Sequence, residues 1–230
     1  MSISTPTHFR LAIGFFACIL GLHAASILAS ELIRPPQREF PATAEVASKR
    51  SEDRRAATWS ARLGIFRSDL WAEAAVTYAE LIWTAFLNPS DINRSEKFAE
   101  ARTLTEDALS RAPHDGRVWL ILSTLYATSN WHDVRAAESL KMSYYTYPNE
   151  LTVLPARIFA TLHLEMIDNE LQGLVRKDIS TIIKWAPNLK YSIIAASKDP
   201  TPEGERLLEA ILKDLDPSLL TTVRSSYQRR

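Results

Sequence analysis

The sequence contains little cysteine and little glycine, and neither charge is in excess. It has one cysteine among 230 residues, which excludes an intramolecular disulfide framework and a cysteine-clustered zinc site. Six glycines are few for an all-β protein rich in tight turns, so the composition favours helices. Because 27 basic residues balance 27 acidic ones, we expect no nucleic-acid binding through a basic surface.

Motifs that carry chemistry are also missing. The sequence has no Gly-x-Ser-x-Gly nucleophile motif, no glycine-rich phosphate loop and no dinucleotide-binding fingerprint. No histidine lies four residues from another, so no zinc-binding helix is predicted. The pairs His114-Asp115 and His132-Asp133 fit turn and capping roles better than acid–base catalysis. The sequence therefore predicts a protein that is not an enzyme and that has no metal and no cofactor.

One long uncharged run lies near the start of the chain. Residues 11–29 carry no formal charge, and nineteen helical residues are about long enough to cross the hydrocarbon core of a bilayer. Three interpretations compete: a retained signal-anchor, a cleaved signal peptide with a site at Ala24-Ala25-Ser26, and a buried core helix. The full length favours a transmembrane signal-anchor at residues 11–30, preceded by a short cytoplasmic N-terminus at residues 1–10.

Two observations disagree about the orientation of this segment. Arg10 precedes it while Arg34 and Arg38 follow it, so the positive-inside rule slightly favours a cytoplasmic C-terminal part. Short polar N-termini, however, usually stay in the cytoplasm. We expect a single-pass protein of the bacterial inner membrane with a periplasmic soluble part, and the reversed orientation stays open.

Residues 31–57 combine prolines with a run of charged side chains. Pro35, Pro36 and Pro41 end the apolar helix and favour extended backbone, and charge dominates from residue 49 to residue 55. This composition predicts a stalk that holds the rest of the chain away from the membrane.

A period typical of helical hairpins is visible further along the chain. Pro113, Pro148 and Pro187 each follow an amphipathic segment, at intervals of 35 and 39 residues. A proline in this position ends one helix and favours the turn into the next. The sequence thus predicts an all-α fold in which a transmembrane helix is followed by an α-solenoid of helical hairpins at residues 58–187 and C-terminal capping helices at residues 188–230.

The copy that ends at Pro148 has the most informative spacing. Four side chains lie at i, i+3, i+4 and i+7 on one helical face: Trp119, Leu122, Ser123 and Tyr126. Together with Ala136 in the second helix, this order resembles the tetratricopeptide repeat, whose first helix has the pattern W-x2-L-G-x2-Y. The match needs one extra residue in the turn at residues 130–132.

An earlier copy repeats this pattern with an interruption. Its first-helix positions are Trp71, Ala74, Ala75 and Tyr78. Ala101, Ala108 and Pro113 correspond to its second helix and closing proline, after an insertion around residues 88–91. A third copy at residues 149–187 retains only the apolar periodicity. The alternative to a repeat array is an irregular helical bundle in which these tryptophans and tyrosines are ordinary core residues.

The resemblance implies a groove, lined by the first helices, that binds extended peptides. Some members of the family grip a terminal carboxylate with lysine and asparagine. Those positions are occupied here by Leu120 and Thr124, and in the earlier copy by Ala72 and Val76. A carboxylate clamp is therefore not expected, and an apolar or mixed groove would select a helix or a hydrophobic strip.

Three tyrosines at a repeat boundary offer a second kind of site. Tyr144, Tyr145 and Tyr147 would form an aromatic anchor for a protein or a stacking surface for sugar rings, unless they pack between repeats. The resemblance and the apolar segment predict a membrane-anchored scaffold that binds a protein partner in the bacterial cell envelope, in a machine that assembles or exports polymers. The alternative is an envelope carbohydrate-binding module that uses the tyrosine cluster.

Overall fold

The computed structural model describes residues 7–36, 39–41, 43–84, 93–129 and 133–227, and these ranges contain helices and no strand. The α-helices are α1 (Thr7–Ile33), α2 (Ala44–Ser51), α3 (Arg54–Leu63), α4 (Ser68–Val76), α5 (Glu80–Thr84), α6 (Asn93–Arg111), α7 (Gly116–Ser129), α8 (Val134–Thr146), α9 (Leu154–Leu162), α10 (Asn169–Trp185), α11 (Lys190–Ala196), α12 (Pro202–Leu215) and α13 (Pro217–Tyr227). A short 3₁₀ helix at Pro187–Leu189 precedes α11. The all-α class is therefore confirmed.

α1 is long and apolar enough to cross a membrane. It has 27 residues, and its most apolar window has a mean hydropathy of 2.2 with no residue buried inside the protein. Large side chains such as Phe15, Phe16 and Leu22 are exposed along it. Only the C-terminal end of α1 contacts α3, and the apolar window itself is unburied. An apolar segment that other helices leave uncovered is typical of a membrane segment, so the core-helix interpretation is not supported.

Local sequence explains where several helices begin. α7 follows Asp115, whose carboxylate accepts the backbone N–H of Arg117 at 3.0 Å. α12 follows Thr201, whose hydroxyl accepts the backbone N–H of Gly204 at 3.1 Å. α9 has Pro155 in its first turn, where the missing N–H is not needed. These polar caps satisfy backbone groups that no intrahelical bond can reach.

The centre of the body consists of α4, α5, α7 and α9. α5, α7 and α9 pack against one another, α4 packs against α7, and all nine residues of α9 are buried. α6, α8 and α10 pack against this layer, and α10 alternates buried and exposed side chains at helical spacing. The helices with the most buried apolar residues thus lie inside, and amphipathic helices cover them.

α7 and α8 form a close antiparallel hairpin. The hydroxyl of Ser123 donates to the carbonyl of Ala136 at 2.7 Å, which joins the middle of α7 to the first turn of α8. At the start of α7, Gly116 lies so close to Tyr147 and Ser143 that a Cβ atom would be 2.4 Å from the Tyr147 Cβ. These small residues let the two helices approach. The predicted extra turn residue and the insertion at 88–91 lie outside the described residues.

The expected stalk at residues 31–57 is corrected by the structure. This segment contains α2 and the start of α3, and these helices pack against α1, α4 and α5. Arg50 is buried and pairs with Glu73 of α4, and Arg54 pairs with Glu80 of α5 at 2.7 Å. Helix formation directs these arginines towards acidic partners on α4 and α5. The segment is therefore packed against the rest of the protein and does not extend away from it.

The C-terminal helices pack at the far end of the central layer. α11 and α12 contact α9, and α13 contacts both of them. The backbone N–H of Thr201 donates to the carbonyl of Leu162 at 3.0 Å, and its hydroxyl donates to the carbonyl of Leu164 at 2.9 Å. These bonds provide partners for the carbonyl of Leu162 at the end of α9, which has no partner within the helix, and for the carbonyl of Leu164 just beyond it.

Candidate interaction site

The groove expected along the first helix of each hairpin is occupied by core packing in this fold. Leu120, Thr124, Ala72 and Val76 are all at most 1% exposed. On the same layer α9 packs against both α5 and α7, and the rings of Trp83 and Phe159 are 4.9 Å apart. The positions that would face a peptide in the tetratricopeptide family therefore belong to the hydrophobic core, and a partner would need another surface.

Another surface is present where α6, α7 and α8 meet. It is an apolar cleft of about 430 Å³, which we call the outer groove. Its lining consists of Leu109, Trp119, Leu122, Tyr126, Ser139 and Met142, with Glu106, Arg135 and Glu138 at the rim. Trp119 and Tyr126 are only partly buried, so their rings present apolar surface to solvent. Partly exposed Trp and Tyr are the residue types that most often dominate protein interfaces.

Polar contacts hold both rings of the outer groove in place. The indole N–H of Trp119 donates to the carbonyl of Pro113 at 2.8 Å. The guanidinium of Arg135 lies 4.4 Å from the centre of the Tyr126 ring, and that of Arg102 lies 5.1 Å away on the same ring. Side chains fixed in this way lose little conformational entropy when a partner binds.

A second cleft adjoins the outer groove at Glu138 and has a different chemistry. It has a volume of about 280 Å³ between the start of α8, the α9–α10 loop and the start of α12, and we call it the acidic pocket. Its lining comprises Asp133, Val134, Ala137, Glu138, Leu164, Met166, Ile167, Asp168 and Glu203. Leu164 and Ile167 are buried, whereas Val134 and Met166 are exposed at the opening. The pocket thus combines an apolar interior with four carboxylates and no basic lining residue.

Neighbouring donors keep two of these carboxylates ionised. Hydrogen bonds from Arg135 lower the pKa of Asp133. The backbone N–H of Leu171 and the ammonium of Lys141 lower the pKa of Asp168, which also caps α10. Lys141 additionally contacts Glu138 and Glu170. Even with Arg135 and Lys141 counted, the acids around the pocket outnumber the bases, so its field attracts cations.

The repeat-defining residues serve mainly as core packing. Buried are Trp71, Ala74, Ala75, Tyr78, Ala101, Ala108, Leu122, Ser123 and Ala136; partly buried are Trp119 and Tyr126; exposed are Pro113 and Pro148. Only Trp119, Leu122 and Tyr126 of this set reach the outer groove.

The three tyrosines at positions 144, 145 and 147 do not share one surface in the structure. Tyr144 is buried beneath α9 and α10, and its hydroxyl lies 3.4 Å from that of Thr161. Tyr147 is half-buried against the core, and Tyr145 alone is well exposed, with its hydroxyl donating to Glu170. Successive helical residues point in different directions, so the three rings share no surface on which a sugar could stack.

Comparison with protein-family models, curated proteins and solved structures finds no match to this chain. Among the described residues, no three His, Cys, Asp or Glu side chains lie together in a set that could hold a metal ion.

Sequence reasoning missed one buried polar cluster beneath α8. Arg157 is fully buried in α9 and donates to the carbonyls of Ser143 and Tyr147 at the end of α8. Asp178 of α10 is also buried, and one of its oxygens has no hydrogen-bond partner among the described residues. The one available signal was a lone arginine within the otherwise uncharged helix α9.

Burial raises the pKa of Asp178 to about 7, although the charge of Arg157 opposes this shift. In the unfolded chain the pKa returns to about 3.8. Between pH 3.8 and pH 7 the folded protein therefore keeps a proton on Asp178 that the unfolded chain has released. This proton uptake stabilises the folded state fully at low pH, and the stabilisation is lost as pH rises through 7.

We expect Asp178→Asn to unfold at a higher urea concentration than the wild type at pH 8, and to lose this advantage near pH 4. Because burial lowers the pKa of His163, and neighbouring donors lower the pKa of Asp133 and Asp168, wild-type stability alone would combine opposing titrations. The difference between the two proteins isolates Asp178. Asp214→Asn, at an exposed position on α12, is the control for removing a surface carboxylate. An equal difference at both pH values would contradict the assignment.

Proposed function

We propose that this protein is a membrane-anchored helical-repeat scaffold that binds a protein partner in the bacterial cell envelope. α1 supports the anchor, because it is long and its most apolar window is unburied. Hairpin spacing and the Ser123–Ala136 contact support a tetratricopeptide-like arrangement of α4 to α10. A periplasmic location for the residues that follow α1 and a role in polymer assembly or export are parts of the proposal that rest on analogy.

The acidic pocket is the main support for binding of a protein partner. Four carboxylates surround an apolar interior, and the outer groove with its two oriented rings continues from Glu138. A segment that fits both clefts would carry large apolar side chains beside lysine or arginine. An amphipathic basic helix has this composition, since its apolar face would enter the clefts while its charges meet the rim.

The carbohydrate-binding alternative has no comparable support. Tyr144 is buried and Tyr145 is the only well-exposed ring of the three. A single tyrosine whose hydroxyl is occupied by Glu170 offers a small contact area for a sugar.

Site-specific photo-crosslinking tests the proposed binding surface in native membranes. A photoreactive amino acid at Val134 or Met166, both exposed at the acidic pocket, should yield one discrete adduct with a protein. The same amino acid at Lys177, exposed on α10, is the matched control and should yield none. Mapping of the adduct should place the crosslink in a segment rich in apolar and basic residues.

Charge reversal at the pocket distinguishes this interface from incidental proximity. We expect Glu138→Lys combined with Glu203→Lys to reduce the adduct by about tenfold, since adverse charge pairs at an interface cost on the order of 1 kcal/mol or more. Glu45→Lys, in an exposed ion pair on α2, should leave it unchanged. An adduct that maps to an acidic segment, or equal labelling from Lys177, would contradict the proposal.

A further inference from the structure

The end of α1 does not stand free of the body. The hydroxyl of Ser60 in α3 donates to the carbonyl of Ser30 at 2.8 Å, and the hydroxyl of Ser26 donates to the carbonyl of Leu63. Residues 60 and 63 therefore lie beside residues 30 and 26, so α3 runs antiparallel to α1, back towards the apolar segment. Both bonds pair polar groups along the helix–helix contact.

The loop that follows α3 continues in the same direction along α1. The ring of Phe66 packs edge-on against that of His23, with 5.7 Å between the ring centres. Phe66 is nevertheless 84% exposed and Ile65 is 57% exposed. Two adjacent large apolar side chains at the tip of a turn are unfavourable in water, and here they flank a helix that is itself apolar and exposed.

The depth of this loop follows from the geometry of α1. His23 lies within the uncharged run at residues 11–29, seven residues before Ser30. Seven helical residues correspond to about 10 Å along the axis. A bilayer that covers the whole uncharged run would therefore also cover the level at which Ile65 and Phe66 lie.

We propose that Ile65 and Phe66 insert into the outer part of the lipid bilayer next to α1, so that the body sits directly on the membrane. This inference rests on the membrane anchoring of the proposed function. The occupant of this surface is lipid, because the loop is continuous with the apolar surface of α1.

Residues around the loop have the chemistry of a membrane interface. Trp59 of α3 is about half exposed, and the guanidinium of Arg62 lies 5.9 Å from its ring centre. Tryptophan and arginine are favoured at headgroup depth. Arg67 pairs with Glu31 at 2.7 Å and also with Asp69, which places an ionic layer on the body side of the loop.

Single-cysteine labelling of the full chain in vesicles tests this arrangement. Cys18→Ser removes the native thiol, and a fluorescent label is then attached in separate proteins to Phe66→Cys, to Leu22→Cys within α1, or to Val134→Cys on the distant acidic pocket. The vesicles contain phosphatidylcholine and phosphatidylglycerol with a nitroxide on the acyl chain, and aqueous iodide is the opposing quencher.

The label at position 66 should emit at shorter wavelength than that at position 134, lose intensity to the lipid nitroxide and resist iodide. The label at position 22 should behave like that at position 66. If position 66 is quenched by iodide while position 22 is quenched by lipid, the inserted loop is wrong and the anchor stands. If both positions respond only to iodide, α1 does not enter the bilayer, and the anchor fails together with the inserted loop.

Discussion

Replacing Arg157 with alanine is expected to reduce the free energy of unfolding by about 4 kcal/mol, the cost typical of removing one partner from a buried charged cluster. Its guanidinium is fully enclosed and donates to carbonyls of Ser143 and Tyr147 and to the Ser143 hydroxyl at 3.1 Å. Without it, the end of α8 loses donors, a large cavity opens, and Asp178 loses a favourable charge nearby. Urea unfolding of the full chain in detergent, followed by tryptophan fluorescence, measures the loss.

Two variants make this prediction specific. Arg176→Ala removes an arginine whose ion pair with Asp214 is largely exposed, and it should change stability little. Arg157→Met combined with Asp178→Leu replaces both buried charges by apolar groups, so it should recover much of what Arg157→Ala loses. A loss for Arg157→Ala no larger than that for Arg176→Ala would show that the cluster does not hold α8, α9 and α10 together.

Replacing Gly204 with alanine is expected to destabilise the protein by about 3 kcal/mol, at the upper end of the cost of overpacking a tight interior. A Cβ atom at this position would lie 2.1 Å from the carbonyl oxygen of Leu162. That oxygen belongs to the backbone and accepts the N–H of Thr201, so it has little freedom to move away. α12 would have to shift away from α9.

Gly173 provides the matched control within another helix. It lies exposed on α10, and a Cβ atom there would meet nothing within 4 Å. Gly173→Ala should therefore raise stability by about 0.5–1 kcal/mol, because alanine favours the helix and glycine does not. Equal effects at the two positions would mean that α12 does not approach α9 as closely as the structure shows.

The sequence was sufficient to predict local features. Composition and periodicity predicted an all-α chain, and the uncharged run at 11–29 predicted the apolar helix that extends from Thr7 to Ile33. Pro113 and Pro148 lie between helices as their spacing indicated. These features depend on residues within one or two helical turns of each other, where hydrogen bonding and side-chain period act directly.

Surface exposure could not be predicted in the same way. The spacing of Leu120 and Thr124 places them at positions that would line the expected peptide groove. In the structure both are buried, and α9 packs against their helix α7. Tyr144 and Tyr145 are adjacent in sequence, and only the second reaches solvent. Whether a helix face is open depends on which distant helix covers it, and periodicity within one helix contains no information about that neighbour.

The docked N-terminal segment shows the same division between local and distant determinants. Prolines and charges between residues 31 and 57 predicted an extended stalk. In the structure, Arg50 and Arg54 form ion pairs with Glu73 and Glu80 on helices that follow later in the chain. The sequence by itself determined which segments form helices and which one can cross a membrane. Only the tertiary structure decided that the body lies against α1 and that the open clefts are acidic and apolar, because both depend on contacts between residues far apart in the chain.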